Sequence, residues 1–371
     1  MTHATHNTRS GPIGMGQRGL TLVEVMISLV LGLILIGGVL NIFVSNRATY
    51  RATENLTRIQ ENVRSSFDFM ARDLREVGQN PCGTKLVANV IRNAANTIPW
   101  WADWNLGTVI GIDGAQDRAD IVAFGTGTGA RVSGTDAIVV IRAEQDEKII
   151  ASHNKDLFEV TLNSITGLAA DDVVVGCDLK AGAIFQIGTI NTGAKTISYD
   201  PDFASLNCRA DLVYPTPSLC PITPLAKTFD AGGMVSKLTS AFWYVGYTAS
   251  GKRSLYRTRI IKKTVAGVPT ITTEAEEMIT GVQDLQIAYL TTEAGVLASD
   301  WVSASDGTSF PGATSTTTGN WRTDDSVNQP KVTIAVRITL TLQSEENVGT
   351  NQQPIQRQLI HVVSLRSRET L

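Results

Sequence analysis

Two groups of residues have types and spacings that matter chemically. The first is Arg18-Gly19-Leu20-Thr21-Leu22-Val23-Glu24. A small residue at a charge junction, directly before an apolar run, is a place where a peptidase can cut. Cleavage after Gly19 frees an α-ammonium on Leu20 and leaves Glu24 about one helical turn away. In an apolar medium those two charges offset each other, whereas either one alone is expensive. A lone carboxylate inside a membrane helix costs about 2.5–3.5 kcal/mol on insertion scales, and the plainer reading of Glu24 is an interfacial acid reaching the headgroups. The second group is Cys82, Cys177, Cys208 and Cys220. None forms a C-x-x-C pair, so zinc-ribbon and thioredoxin-like chemistry lack their spacing. An even number in a chain that leaves the cytoplasm fits two disulfides. Cys208 and Cys220 flank a short Pro-rich loop and are paired on that ground, leaving Cys82 for Cys177. Three connectivities, and buried free thiols, stay open.

Other candidates for chemistry are bland. His3 and His6 lie before Gly19; His153 and His361 are far apart and lack an H-E-x-x-H or triad context. Gly125-Thr126-Gly127-Thr128-Gly129 has no P-loop lysine after it and reads as a turn. Asp113, Asp117 and Asp120 crowd one loop without EF-hand spacing. Trp100, Trp101 and Trp104 read as a core lid in preference to an exposed sticky patch. No catalytic residue, metal set or cofactor site is expected. The formal charge of −3 gives no basic stripe, which argues against direct nucleic-acid binding.

Three elements must position the N-terminal group. Residues 1–19 contain no acid and carry Arg9 and Arg18, a leader that stays in the cytoplasm. Leu20 to Val44 is an apolar run of about 25 residues, roughly 38 Å as a helix and enough to cross a bilayer. An ordinary secretory signal would be cut beyond such a run, and Val44-Ser45-Asn46-Arg47-Ala48 is a poor site. From Ala52, apolar residues fall at steps of three and four through Leu56, Ile59, Val63, Phe67, Met70, Leu74 and Val77. The opposite face carries charges that include Arg58, Arg64, Asp68, Arg72, Asp73 and Glu76. Gly78 then supplies a C-cap, with Pro81 just past it. One helix is therefore expected over 20–78, membrane-spanning or filament-packed to 44 and amphipathic beyond.

Residues 79–371 read as a β-rich head. Strands are expected at Ala119–Phe124, Ala137–Ala143, Leu157–Leu162, Ala183–Ile190, Leu238–Tyr247, Leu255–Ile261 and Val282–Leu290. Lys331–Gln343 alternates strictly, and Ile355–Leu365 can follow it as a hairpin partner. Thr292–Asn328, rich in Ser, Thr, Gly and Asp, reads as an exposed excursion. The fold class is α+β.

Arg18-Gly19-Leu20-Thr21-Leu22-Val23-Glu24 resembles the class III signal of type IV pilins and pseudopilins, usually Gly-Phe-Thr-Leu-Xaa-Glu, with Leu20 replacing the usual Phe. The resemblance implies cutting after Gly19 by prepilin peptidase, N-methylation of Leu20, and an assembly role for Glu24. Ala71-Arg72-Asp73-Leu74-Arg75-Glu76-Val77-Gly78 with Cys82, Thr135–Arg142, Cys177-Asp178 with Ile184–Ile187, Ser254–Arg257 and Gly281–Tyr289 extend it, in order, to PilW-type minor pilins. What that family implies is a structural subunit and not an enzyme. It would be a single-pass inner-membrane protein with a periplasmic head, later part of a pilus on the cell surface. Its partners would be membrane lipid before assembly, the inner-membrane assembly platform, and other minor and major pilins. Its roles would be pilus priming, with effects on adhesion, motility or DNA uptake. J-type pseudopilins of type II secretion share the layout and are the alternative.

Overall fold

The computed structural model describes residues 19–81, 87–93, 95–104, 107–180, 182–203, 205–208, 212, 228–265, 268–293, 296–297, 300–304, 320–322, 331–349 and 351–365. It is an α+β architecture, one long apolar-to-amphipathic helix followed by a β-rich head. The chain divides into two compact units, Met1–Glu54 and Asn55–Leu371, so the boundary falls inside the helix.

The helix runs Leu22–Arg75, two residues short of the expected start at 20 and three short of the expected end at 78. Local hydrogen bonds explain both ends. The Thr21 carbonyl accepts the first helical bond from Val25 N–H at 3.2 Å. The Thr21 Oγ1 accepts Glu24 N–H at 3.3 Å, so Thr21 is the N-cap and Leu20 lies outside. At the other end Gly78 takes a φ of +69°, which glycine adopts without strain. Its N–H bonds the Ile141 carbonyl at 2.9 Å, tying the stop of the helix to the head.

In the second unit the expected stripe is buried from Ile59 through Val63, Phe67, Met70 and Leu74 to Val77, with Leu56 half-buried. It joins one core with Ile138, Val140 and Trp243 of a larger sheet and with Ile287, Ile338 and Leu340 of a smaller one. Asp73, expected on the charged face, is only 7% exposed. The sheet covers more than the apolar stripe there, and Asp73 finds polar partners on it, described below.

Among the described residues the larger sheet has thirteen strands and the smaller five. Met234–Tyr247 is the hub of the larger. Its two edges pair with Ala137–Ala143 and Lys148–Asn154 on one side, and with Val173–Cys177 and Arg253–Val265 on the other. In the smaller sheet Val282–Glu293 pairs with Lys331–Gln343, which pairs with Gln356–Ser364 as the expected hairpin. On the far face of the larger sheet Trp101 is buried and Trp100 and Trp104 pack partly buried, so the three tryptophans form a core lid. The Trp100 ring meets Phe242 edge-on at 6.2 Å.

Two expectations are corrected. Ala119–Phe124 is a turn with isolated bridges, because the Asp117 carboxylate accepts Phe124 N–H at 2.9 Å and Arg118 grips Asp120 with two bonds of 2.7 and 2.6 Å. Thr292–Asn328 is more than a loop. Within it Val296–Leu297 and Val302–Ser303 pair with Val282–Glu293, and Asn320–Arg322 pairs with Val109–Ile112 of the larger sheet. The remainder of that segment lies outside the described residues.

Candidate functional site at the start of the helix

Gly19, Leu20, Thr21 and Glu24 are all exposed. The capped start leaves the Gly19–Leu20 peptide in non-helical backbone, the conformation a peptidase needs. A Cβ built on Gly19 meets nothing within 4 Å among the described residues. The chain's own packing therefore gives no reason for glycine at that position, and the reason has to lie with whatever handles the bond. Thr21 was missed as a functional residue in the sequence reading. Its signal was available, because Thr21-x-x-Glu24 is the spacing of a capping box.

The helix from Leu22 is apolar and exposed: Leu22 is 75% exposed, Leu35 70% and Val44 64%. It is the one helix among the described residues long and apolar enough to cross a membrane. Three of its hydroxyls are satisfied internally. Ser28 Oγ donates to the Glu24 carbonyl at 2.7 Å, and Thr49 and Thr53 donate to carbonyls four residues back. The Glu24 carboxylate differs, since no described residue pairs with it. An apolar shaft with one carboxylate that no described residue pairs can bind a cation presented by another molecule.

The other sequence candidates are occupied elsewhere. His153 Nδ1 accepts Phe229 N–H at 2.9 Å, so its proton sits on Nε2, 2.8 Å from the Tyr199 hydroxyl. Burial lowers its pKa to about 4, and the ring is a neutral packing element, stacked on Phe229. His361 stacks on Phe67 of the helix at 5.0 Å. Asp113 and Asp117 cap nearby backbone N–H groups, and Asp120 holds Arg118. Gly125–Gly129 is a turn, tied down where Gly129 N–H bonds the Tyr247 carbonyl at 2.7 Å. Cys177 and Cys208 are both disulfide-bonded. Cys82 and Cys220 lie outside the described residues.

Two buried polar nodes support the head. Asp136 accepts Gly114 N–H at 2.9 Å and, from the smaller sheet, Ile287 N–H at 2.8 Å. Burial pushes its pKa up to about 6 against those bonds. The fully buried Arg131 guanidinium donates to the carbonyls of Gln116, Asp113 and Thr135 and lies over the Phe124 ring, its pKa lowered by burial to about 10. The second node is Asp73, whose carboxyl is pushed up by burial and held by Arg142 and Trp243.

Residues 14–40 match the family described as the prokaryotic N-terminal methylation motif. The match spans Gly19, Leu20 and Glu24 and most of the apolar shaft. It marks the chain as a type IV pilin-like or pseudopilin protein with a prepilin-type signal, and so as a substrate of prepilin peptidase that associates with other pilins. Signal and apolar helix together point to membrane anchoring. No curated protein matches the chain.

Proposed function

We propose that this chain is a PilW-type minor pilin, a non-enzymatic subunit that primes or caps a type IV pilus. The observation that carries the reading is the unpaired Glu24 carboxylate, four residues beyond Leu20 on an exposed apolar helix. After cleavage behind Gly19 and methylation of Leu20, the helix sits in the inner membrane with the head in the periplasm. On transfer into a filament the apolar shaft exchanges lipid for neighbouring helices, and Glu24 offsets the α-ammonium of a neighbouring subunit. The head, built on two sheets around the helix end, carries whatever contacts set its place among other minor and major pilins. Effects on adhesion, motility or DNA uptake follow from that place. Disulfides Cys208–Cys220 and Cys82–Cys177 suit a head that folds in an oxidising compartment.

The J-type pseudopilin reading shares the signal and differs in its filament. Intact-mass measurement and N-terminal sequencing, with and without prepilin peptidase, test the class. A start at methylated Leu20 that depends on the peptidase supports it, and an uncut Met1 or a cut beyond Val44 overturns it. Loss of surface pili, with protein secretion intact, on deletion of the gene assigns the chain to the pilus; the converse assigns it to secretion.

A further inference from the structure

The chain passes from the larger sheet to the smaller at Gly281, between the strands Val268–Thr280 and Val282–Glu293. Gly281 takes a φ of +81°, and its carbonyl accepts Gln343 N–H at 2.9 Å. A cleft of about 730 Å³ opens at this corner, between the hairpin turn Thr248–Lys252 and the loop that follows Gln343. That volume falls within the roughly 300–1,000 Å³ of small-molecule sites. Backbone bonds hold both walls in place. Thr248 N–H bonds the Lys252 carbonyl at 2.8 Å, and Ser344 N–H bonds the Ile355 carbonyl at 2.9 Å. Arg253 Nη1 reaches from the hairpin to the Gln283 carbonyl at 2.9 Å and ties the corner to the turn.

The lining is polar. Among the described residues nine lining side chains are uncharged hydrogen-bonding groups, and only Ala249 and Pro354 are aliphatic. Several hydroxyls are already engaged: Thr248 with Ser250 at 2.9 Å, Ser254 with Glu277 at 2.8 Å, and Ser344 with the Glu346 carbonyl at 2.7 Å. Four longer side chains keep capacity to spare. Arg253 is half-buried and lies over the Tyr247 ring at 6.0 Å, and no carboxylate among the described residues pairs with it. Gln343 accepts from Gln356 through its Oε1 at 3.3 Å, which leaves its amide N–H groups to donate. Glu345 and Asn347 are exposed on the same wall, and their side chains bond no described residue.

These groups select the ligand's chemistry. Lys252 and Arg253 are balanced by Glu277 and Glu345, so the cleft favours no net charge. An anion that gained Arg253 would meet Glu345, and a cation that gained Glu345 would meet Arg253. An apolar molecule, or a peptide with an apolar side chain, finds only Ala249 and Pro354 to cover it. A guanidinium can only donate, a carboxylate can only accept, and an amide does both. A ligand that serves all three must carry several groups that both donate and accept, which is what neighbouring hydroxyls do. We propose that the corner cleft binds a neutral saccharide of one or two rings, through Arg253, the Gln343 and Asn347 amides and the Glu345 carboxylate.

The test uses the full chain in micelles of a detergent whose headgroup carries no sugar. Equilibrium dialysis is run with glucose, galactose, mannose, N-acetylglucosamine and lactose, and with succinate and a short uncharged peptide as controls. Saturable binding of at least one sugar is expected, weakened about fivefold in Asn347→Ala and in Glu345→Gln, the scale of one hydrogen bond. Both residues are exposed and bond no described residue, so both variants should keep the wild-type melting midpoint. Arg253→Lys keeps the charge but loses the planar fork, and should weaken binding about tenfold. No saturable sugar binding by the folded chain, wild-type binding in all three variants, or succinate or peptide binding as tight as that of the best sugar overturns the proposal.

Discussion

The Trp243 indole N–H donates to the Asp73 carboxylate at 3.0 Å, joining the end of the helix to the hub of the larger sheet. Arg142 stands over the same helix turn, 3.8 Å from Asp73 and 2.9 Å from Glu76. The last turn of the helix is thus held by a buried polar lock as well as by its apolar stripe. Removing one member strands the others. Asp73→Ala should destabilise the head by about 3–5 kcal/mol, and Trp243→Phe by about 1.5–3 kcal/mol. Denaturant unfolding of the double variant should show a loss smaller than the sum, since both remove the same bond. Strict additivity would mean that the bond contributes nothing.

Gly19→Val should abolish processing and leave the head's unfolding midpoint unchanged, because a Cβ at position 19 meets nothing within 4 Å among the described residues. Electrophoretic size and mass report the first, and a melting curve the second. A processed Gly19→Val protein would show that the bond is cut elsewhere.

Glu24→Ala should be cut normally and recovered from sheared filaments at about a tenth of the wild-type level or less, the scale set by an uncompensated charge in an apolar medium. Wild-type recovery would remove the charge-pairing role.

His153 should make the head less stable as acidity rises. Its pKa is lowered on folding, from 6.5 to about 4, so the unfolded chain takes up a proton first. Stability present at neutral pH is then lost as the pH falls from about 6.5 to 4. After allowance for the partial exposure of the ring, the loss is on the order of 2 kcal/mol. His153→Phe should flatten this part of a stability–pH curve.

Asp136 contributes with the opposite sign. Its pKa is raised on folding, from 3.8 to about 6, so its contribution is fullest below 3.8 and is lost as the pH rises through 6. Between about pH 4 and 6 the two groups oppose each other, and the wild type should be nearly level there. With His153→Phe in place, stability should rise on acidification over that window, as followed by chemical denaturation at several pH values. A curve that still falls would show that Asp136 is not the opposing group.

What was legible in the sequence depended on how local its cause is. The Gly19–Glu24 group is a linear motif before an apolar run, and each member could be read without the fold. Lys331–Gln343 and Ala137–Ala143 begin and end where the sequence placed them, the first because its alternation is strict. Val173–Cys177 was missed because all five residues are buried and nothing alternates. Val268–Thr280 was missed because it is a polar strand, paired along one edge only among the described residues. The burial of Asp73 was beyond a helical-wheel reading, since its partner lies 170 residues away.

The shared core beneath the helix has a consequence for the order of events as the chain is made. The stripe from Ile59 to Val77 is synthesised long before Ile338, Leu340 and Val363, the residues that cover it. The hub strand likewise waits, because its partners Ala137–Ala143 and Arg253–Val265 arrive before and after it. Pairings so distant in sequence form slowly, and an apolar surface left open meanwhile invites association with other chains. The stripe emerges before the strands that cover it and must be shielded until they arrive.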